Sequence, residues 1–207
     1  MEFRSTIANM LVQANWIESI DSHLDEVIVR CKTNLDKLSL QAQDLIFELL
    51  NTKVIDLLGD LCFVNWVPSL LPAGPHECIE EIVDYLRVTF MWLTYLPQTV
   101  RDAAHFTCCS RINQDILTFL ISPKVQHMNM LSIKALQLDF KHLDDFSSSC
   151  GVPQLRECFS EGRGLINALL HRDLHRFGEN PVIRRANFPV LDPYKLSLLA
   201  EKVCPKC

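Results

Sequence analysis

The sequence predicts an all-α protein, an elongated bundle of about seven antiparallel helices, and three observations carry that prediction. Apolar residues recur at three- and four-residue intervals along nearly the whole chain, the spacing of one helical face. No alternating apolar run is bounded by Asn-Gly or Asp-Gly, the signal of a hairpin. Glycine occurs only six times in 207 residues, few for a sheet-and-loop enzyme.

Taken in order, Ile7, Met10, Leu11, Ala14 and Ile17 form the first stripe. It continues through Ile20, Leu24, Val27 and Ile28, with a break expected near Asp21-Ser22. The clearest stripe runs from Leu45 and Leu49 through Leu50, Val54 and Leu58 to Leu61. A helix from Leu38 to Val64 would extend roughly 40 Å at 1.5 Å per residue. Pro68, Pro72, Gly74 and Pro75 mark a loop over Asn65 to His76. Ile79, Ile82, Val83, Leu86, Phe90 and Leu93 then define a helix that ends by Leu96-Pro97. The next carries Val100, Ala104, Cys108, Ile112, Ile116 and Leu120 and stops before Pro123. Another is expected from Lys124 to about Phe146, with Ile133, Leu136, Phe140 and Leu143 on one face. After a breaker at residues 147–151, Leu155, Phe159, Ile166 and Leu169 mark a further helix. Gly178 and Pro181 open an irregular stretch, and a short helix from Pro193 to Val203 closes the chain.

Composition narrows the class. At 48% hydrophobic the chain suits one globular domain over residues 1–207, or two tightly packed subdomains. A chain of this size buries about 70% of its extended surface and needs no staple. A net charge of −5 and aromatics that do not interleave with a basic stripe argue against nucleic-acid binding. No run approaches the roughly 18 apolar residues of a membrane span. Residues 1–5 lack the pattern of a secretory signal. Nine cysteines, odd in number and irregular in spacing, predict reduced thiols in a cytosolic protein.

The candidate chemistry is thin. Cys204 and Cys207 have zinc-knuckle spacing, and His171 with His175 would complete a four-ligand set. An exposed histidine pair beside a frayed tail is the plainer reading. Cys108-Cys109 reads as a buried structural pair, with His105 the sole neighbour placed to activate a thiol. The carboxylate pairs Glu80-Glu81 and Asp144-Asp145 are expected on solvated helix faces. Glu161-Gly162-Arg163-Gly164 lacks phosphate-loop spacing, so a close helix–helix contact is the reason expected for its glycines. Five arginines between Arg163 and Arg185, against Asp173 and Glu179, make a local basic patch suited to acidic lipid or an acidic protein face.

Read colinearly, the segments resemble the C-terminal region of the exocyst complex component 6 family. Lys53-Val54-Ile55-Asp56 and Val64-Asn65-Trp66 are similar to a helix leading into the family's tyrosine-aspartate-tryptophan turn. Asp84-Tyr85-Leu86-Arg87, Phe90 and Thr94-Tyr95-Leu96-Pro97 continue the match. It runs on through Ala135-Leu136-Gln137-Leu138-Asp139, Phe159 to Ile166, and Leu198-Leu199-Ala200-Glu201-Lys202. The family chain is several times longer, so the resemblance implies a fragment or a truncated product. It implies a helical-rod tethering fold with no enzymatic activity and no cofactor. Its partners would be other exocyst subunits and a GTP-loaded Rab GTPase, with no nucleic acid. The implied place is the cytoplasm, peripherally on vesicles or at the plasma membrane. The implied Rab-facing residues are Gln137, Leu138 and Lys141. Gln137 stands where the family has asparagine and Lys141 where it has isoleucine. Loss of an apolar anchor at an interface centre weakens binding by more than about 1 kcal/mol. Arg172 and Leu174 flank Asp173 in place of two family tryptophans. The residues alone place Leu138 off the apolar stripe and therefore exposed. They also leave open an unrelated α-helical adaptor and a zinc protein or enzyme.

Overall fold

A computed structural model describes residues 2–171, Val182 and 192–203. These residues are all-α, with six α-helices and two 3-10 segments. The helices are α1 (Glu2–Leu58), α2 (Glu77–Leu93), α3 (Gln98–Ile121), α4 (Met130–Ser149), α5 (Ser160–Leu170) and α6 (Pro193–Lys202). The chain divides into two units, Met1–Ile46 and Phe47–Cys207.

The first unit is the leading part of α1. The break expected at Asp21-Ser22 is absent, because α1 runs from Glu2 to Leu58. Aspartate and serine each cost only a fraction of a kcal/mol in a helix, less than the roughly 1 kcal/mol of glycine or 3 kcal/mol of proline. The helix expected to run from Leu38 to Val64 is thus the latter part of α1. It ends at Leu58, before Gly59, and Gly59–Phe63 tightens into a 3-10 turn. Most of the described side chains before residue 46 are exposed.

The second unit holds the core. Leu50, Val54, Leu58 and Leu61 enter it, so the tail of the clearest stripe is buried, whereas Leu45 and Leu49 are exposed. The α2 stripe is buried as its spacing predicts, from Ile79 to Leu93. Glu77 and Glu80 lie in its first turn, where negative charge suits the helix dipole. On α3, Ala104, Cys108, Ile112, Ile116 and Leu120 follow one another at four-residue steps, and all are buried.

The helix expected from Lys124 begins instead at Met130. The Asn129 side chain accepts hydrogen bonds from the Leu131 and Ser132 amides, a cap that defines where the helix starts. Its amide group also donates to the Pro68 carbonyl at 2.8 Å, tying the 65–76 loop to α4. Gly151, with φ of 71°, turns the chain after α4 in a conformation that disfavours any side chain. The single helix expected around Leu155 and Ile166 is two elements, a 3-10 segment Pro153–Phe159 and then α5.

The crossing of α4 and α5 explains one of the two helix glycines. A Cβ on Gly162 would collide with the Phe140 ring, so the ring lies directly on the α5 backbone. Gly164 has nothing within 4 Å of that position, and no contact accounts for it. At the other end of the unit, the Lys202 ammonium on α6 donates to the carbonyls of Leu120, Ile121 and Ser122 at 2.9, 2.6 and 2.6 Å. These are carbonyls that the end of α3 leaves without helical partners, at the pole where a cation is favoured.

Candidate docking surface on α4

Helix α4 turns two chemically different faces outward and inward. Ile133, Leu136, Phe140 and Leu143 are buried, as their spacing requires. Asp139 falls on the same stripe and is only 2% exposed. Its carboxylate accepts the His76 backbone N–H at 2.7 Å and meets the His76 ring Nδ1 at 2.6 Å. His76 is the N-cap residue of α2 and makes no capping bond with its own side chain. Asp139 therefore satisfies the start of α2 from a different helix, which pins α4 against it. The signal was present in the sequence as a carboxylate three residues after Leu136 and one before Phe140.

The outward face carries Gln137, Leu138 and Lys141. Gln137 and Lys141 are exposed, whereas Leu138 is half-buried rather than exposed. The correction has a cause in α5, whose Ile166 and Asn167 stand beside it. Gln137, Leu138, Phe140, Lys141, Ile166 and Asn167 line a groove of about 290 Å³, together with Asp144 and Arg163. The Gln137 amide donates to the Asn167 side-chain oxygen at 3.4 Å across the groove. The three α4 residues named from the sequence thus share a groove with α5 residues that the sequence did not point to.

Asp144 departs from expectation. It is 9% exposed rather than solvated, and its Oδ2 receives the Arg163 guanidinium together with Arg156 at 3.3 Å. Asp145, Glu80 and Glu81 are exposed as expected. Arg163, the first residue of the basic patch, is therefore ion-paired. Arg172, Arg176, Arg184, Arg185, Asp173 and Glu179 lie outside the described residues, as do His175, Cys204 and Cys207 of the candidate zinc set. Among the described residues no group of three or more metal-binding side chains converges.

The Cys108-Cys109 pair is buried. Burial pushes the Cys108 thiol up to about 12, and Cys109 is raised well above its ordinary value for the same reason. His105 stacks on Phe90 with ring centroids 3.7 Å apart, and neither ring nitrogen has a hydrogen-bond partner. Burial, assisted by Arg101, lowers it from 6.5 to about 4. A neutral histidine beside protonated thiols offers no charge to create a thiolate. His105 and Asp102 line a cavity of about 620 Å³ whose lining does not include Cys108.

The family model for the exocyst complex subunit Sec15 C-terminal region matches residues 4–202. Exocyst complex component SEC15A of Arabidopsis thaliana is 27% identical over 168 residues, covering 76% of this chain and 21% of that protein. SEC15B of the same plant is 28% identical over 176 residues, covering 81% of this chain and 22% of its own. Exocyst complex component 6 of Caenorhabditis elegans is 25% identical over 165 residues, covering 77% and 20%. The chain thus spans about a fifth of the length of these relatives. No solved structure matches it.

Proposed function

The chain belongs to the Sec15 C-terminal family of exocyst complex subunits, and from that premise we propose that it is a non-catalytic interaction domain in vesicle tethering whose α4–α5 groove docks a GTP-loaded Rab GTPase. The family match crosses both units, which supports reading residues 1–207 as one C-terminal helical domain. In this reading the domain works in the cytoplasm beside other exocyst subunits and reaches vesicles or the plasma membrane peripherally. No described helix is long and apolar enough to cross a membrane.

The observation that carries the Rab reading is the groove itself. Leu138 is presented between exposed Gln137 and Lys141, over a floor of Phe140 and Ile166. A half-buried leucine in a rigid concavity supplies a small apolar anchor ringed by polar groups, the layout of an interface centre. Rigidity comes from the Asn129 cap, the Asp139–His76 link and the Phe140–Gly162 contact.

A pull-down of the chain against a panel of Rab GTPases, loaded with GTP or GDP, tests the proposal. GTP-dependent capture of at least one Rab is expected, with Lys141→Ile strengthening it about tenfold as an apolar anchor is restored. Leu138→Asp should abolish it. If no Rab is captured, and substitutions at Gln137 and Lys141 change nothing, the Rab role is wrong.

A further inference from the structure

The first unit presents an apolar pattern that the core does not use. Leu24, Ile28, Leu35, Leu38 and Leu45 are each more than half exposed. From Leu24 the sequence steps alternately four and three residues through Ile28, Cys31, Leu35, Leu38 and Ala42 to Leu45. That is a heptad repeat, with Ile28, Leu35 and Ala42 at a and Leu24, Cys31, Leu38 and Leu45 at d. The same steps run back in the sequence through Ile17, Ala14, Met10 and Ile7 to Phe3, and Asp21 is the one polar residue in the series. An apolar period of 3.5 residues keeps one seam turned toward a partner helix along a supercoil.

We propose that this seam pairs α1 antiparallel with α1 of a second copy of the chain. Charge selects this occupant and direction. Setting Ile28 against Cys31 of the second copy brings Leu35 opposite Leu24, all four exposed on α1. The same register sets Asp25 beside Lys32 of the second copy, and Lys32 beside its Asp25. Both residues are exposed, and both occupy the flanking e position, where charges decide partner and orientation. A parallel, in-register pair would instead set Asp25 beside Ile20 and Lys32 beside Val27, so neither charge would meet an opposite charge across the seam.

Sedimentation equilibrium of the full chain at micromolar concentration tests the pairing, and a reversible dimer is expected. Leu35→Glu should leave a monomer, while the thermal unfolding of the second unit stays unchanged. Asp25→Lys should weaken the dimer about tenfold, since two attractive pairs become two repulsive ones, and Asp25→Lys with Lys32→Asp should restore it. Direction is read by mixing Leu24→Cys with Leu35→Cys, both on a Cys31→Ser, Cys62→Ser background. A crosslink between the two variants is expected. Crosslinking of Leu24→Cys to itself would overturn the antiparallel register. A chain that remains monomeric, that pairs through α1 only with a different polypeptide, or that dimerises despite Leu35→Glu, overturns the proposal.

Discussion

One stripe residue from each unit of this protein shows how they differ. Ile28 on the leading part of α1 is 61% exposed, and Val83 on α2 is 0% exposed. Both sit in helices rich in apolar residues at helical spacing, and nothing in the local sequence distinguishes them. An apolar stripe states which face of a helix avoids water, but not whether another element covers it. In the second unit the covering elements are neighbouring helices of the same chain. In the first they are supplied, in our proposal, by a second copy.

Removing side chains from each unit sharpens that comparison. Phe140 fills the contact between α4 and α5 and is 1% exposed, so Phe140→Ala should cost about 3–5 kcal/mol in urea unfolding. A loss under about 1 kcal/mol would mean the crossing is looser than the glycine contact requires. The converse change, Gly162→Ala, inserts a methyl group where the Phe140 ring already lies. It should destabilise by about 3 kcal/mol, the upper end of overpacking. Gly164→Ala, in open space within the same helix, should instead gain up to about 1 kcal/mol from helix propensity.

A third effect is set by pH. His105 is 4% exposed, and its pKa is lowered from 6.5 to about 4, by burial first and by Arg101 second. The unfolded chain takes up a proton as pH falls through 6.5, whereas the folded chain resists until about 4. Stability from the neutral ring is therefore fully present above pH 6.5 and is lost progressively as pH falls toward 4. The shift corresponds to a loss of about 2 kcal/mol between pH 7 and pH 5. Urea midpoints across that range should show it for the native chain and a flatter profile for His105→Phe. The smallest effect belongs to the first unit: Val29→Ala should change stability by no more than about 0.5 kcal/mol. A larger loss would place Val29 in an interface that the heptad register does not assign.

Much of the fold was legible because helical period is a local property. The stripes over Ile79 to Leu93, Val100 to Leu120 and Ile133 to Leu143 lie within α2, α3 and α4, and the closing helix was placed within a residue. The prolines and Gly74 marked the loop before α2 equally well. Boundaries were less legible where a cap or a change of helix type decides them, as at Asn129 and Pro153. The α4 residues of the candidate groove came from colinear resemblance, while the α5 wall came only from folding.

What the sequence by itself determined is the set of helices and the apolar face of each, because residues three and four apart share a face in any α-helix. What only the tertiary structure decided is who meets those faces. Asp139 reaches His76 across 63 residues, and Lys202 reaches the Leu120 carbonyl across 82. Gly162 and Gly164 stand two positions apart, yet only Gly162 bears the Phe140 ring. No short-range spacing encodes such pairings, since they depend on how whole helices cross. The all-α class could therefore be read from the chain. The buried aspartates, the half-buried Leu138 and the uncovered seam of α1 emerge only when the helices are packed.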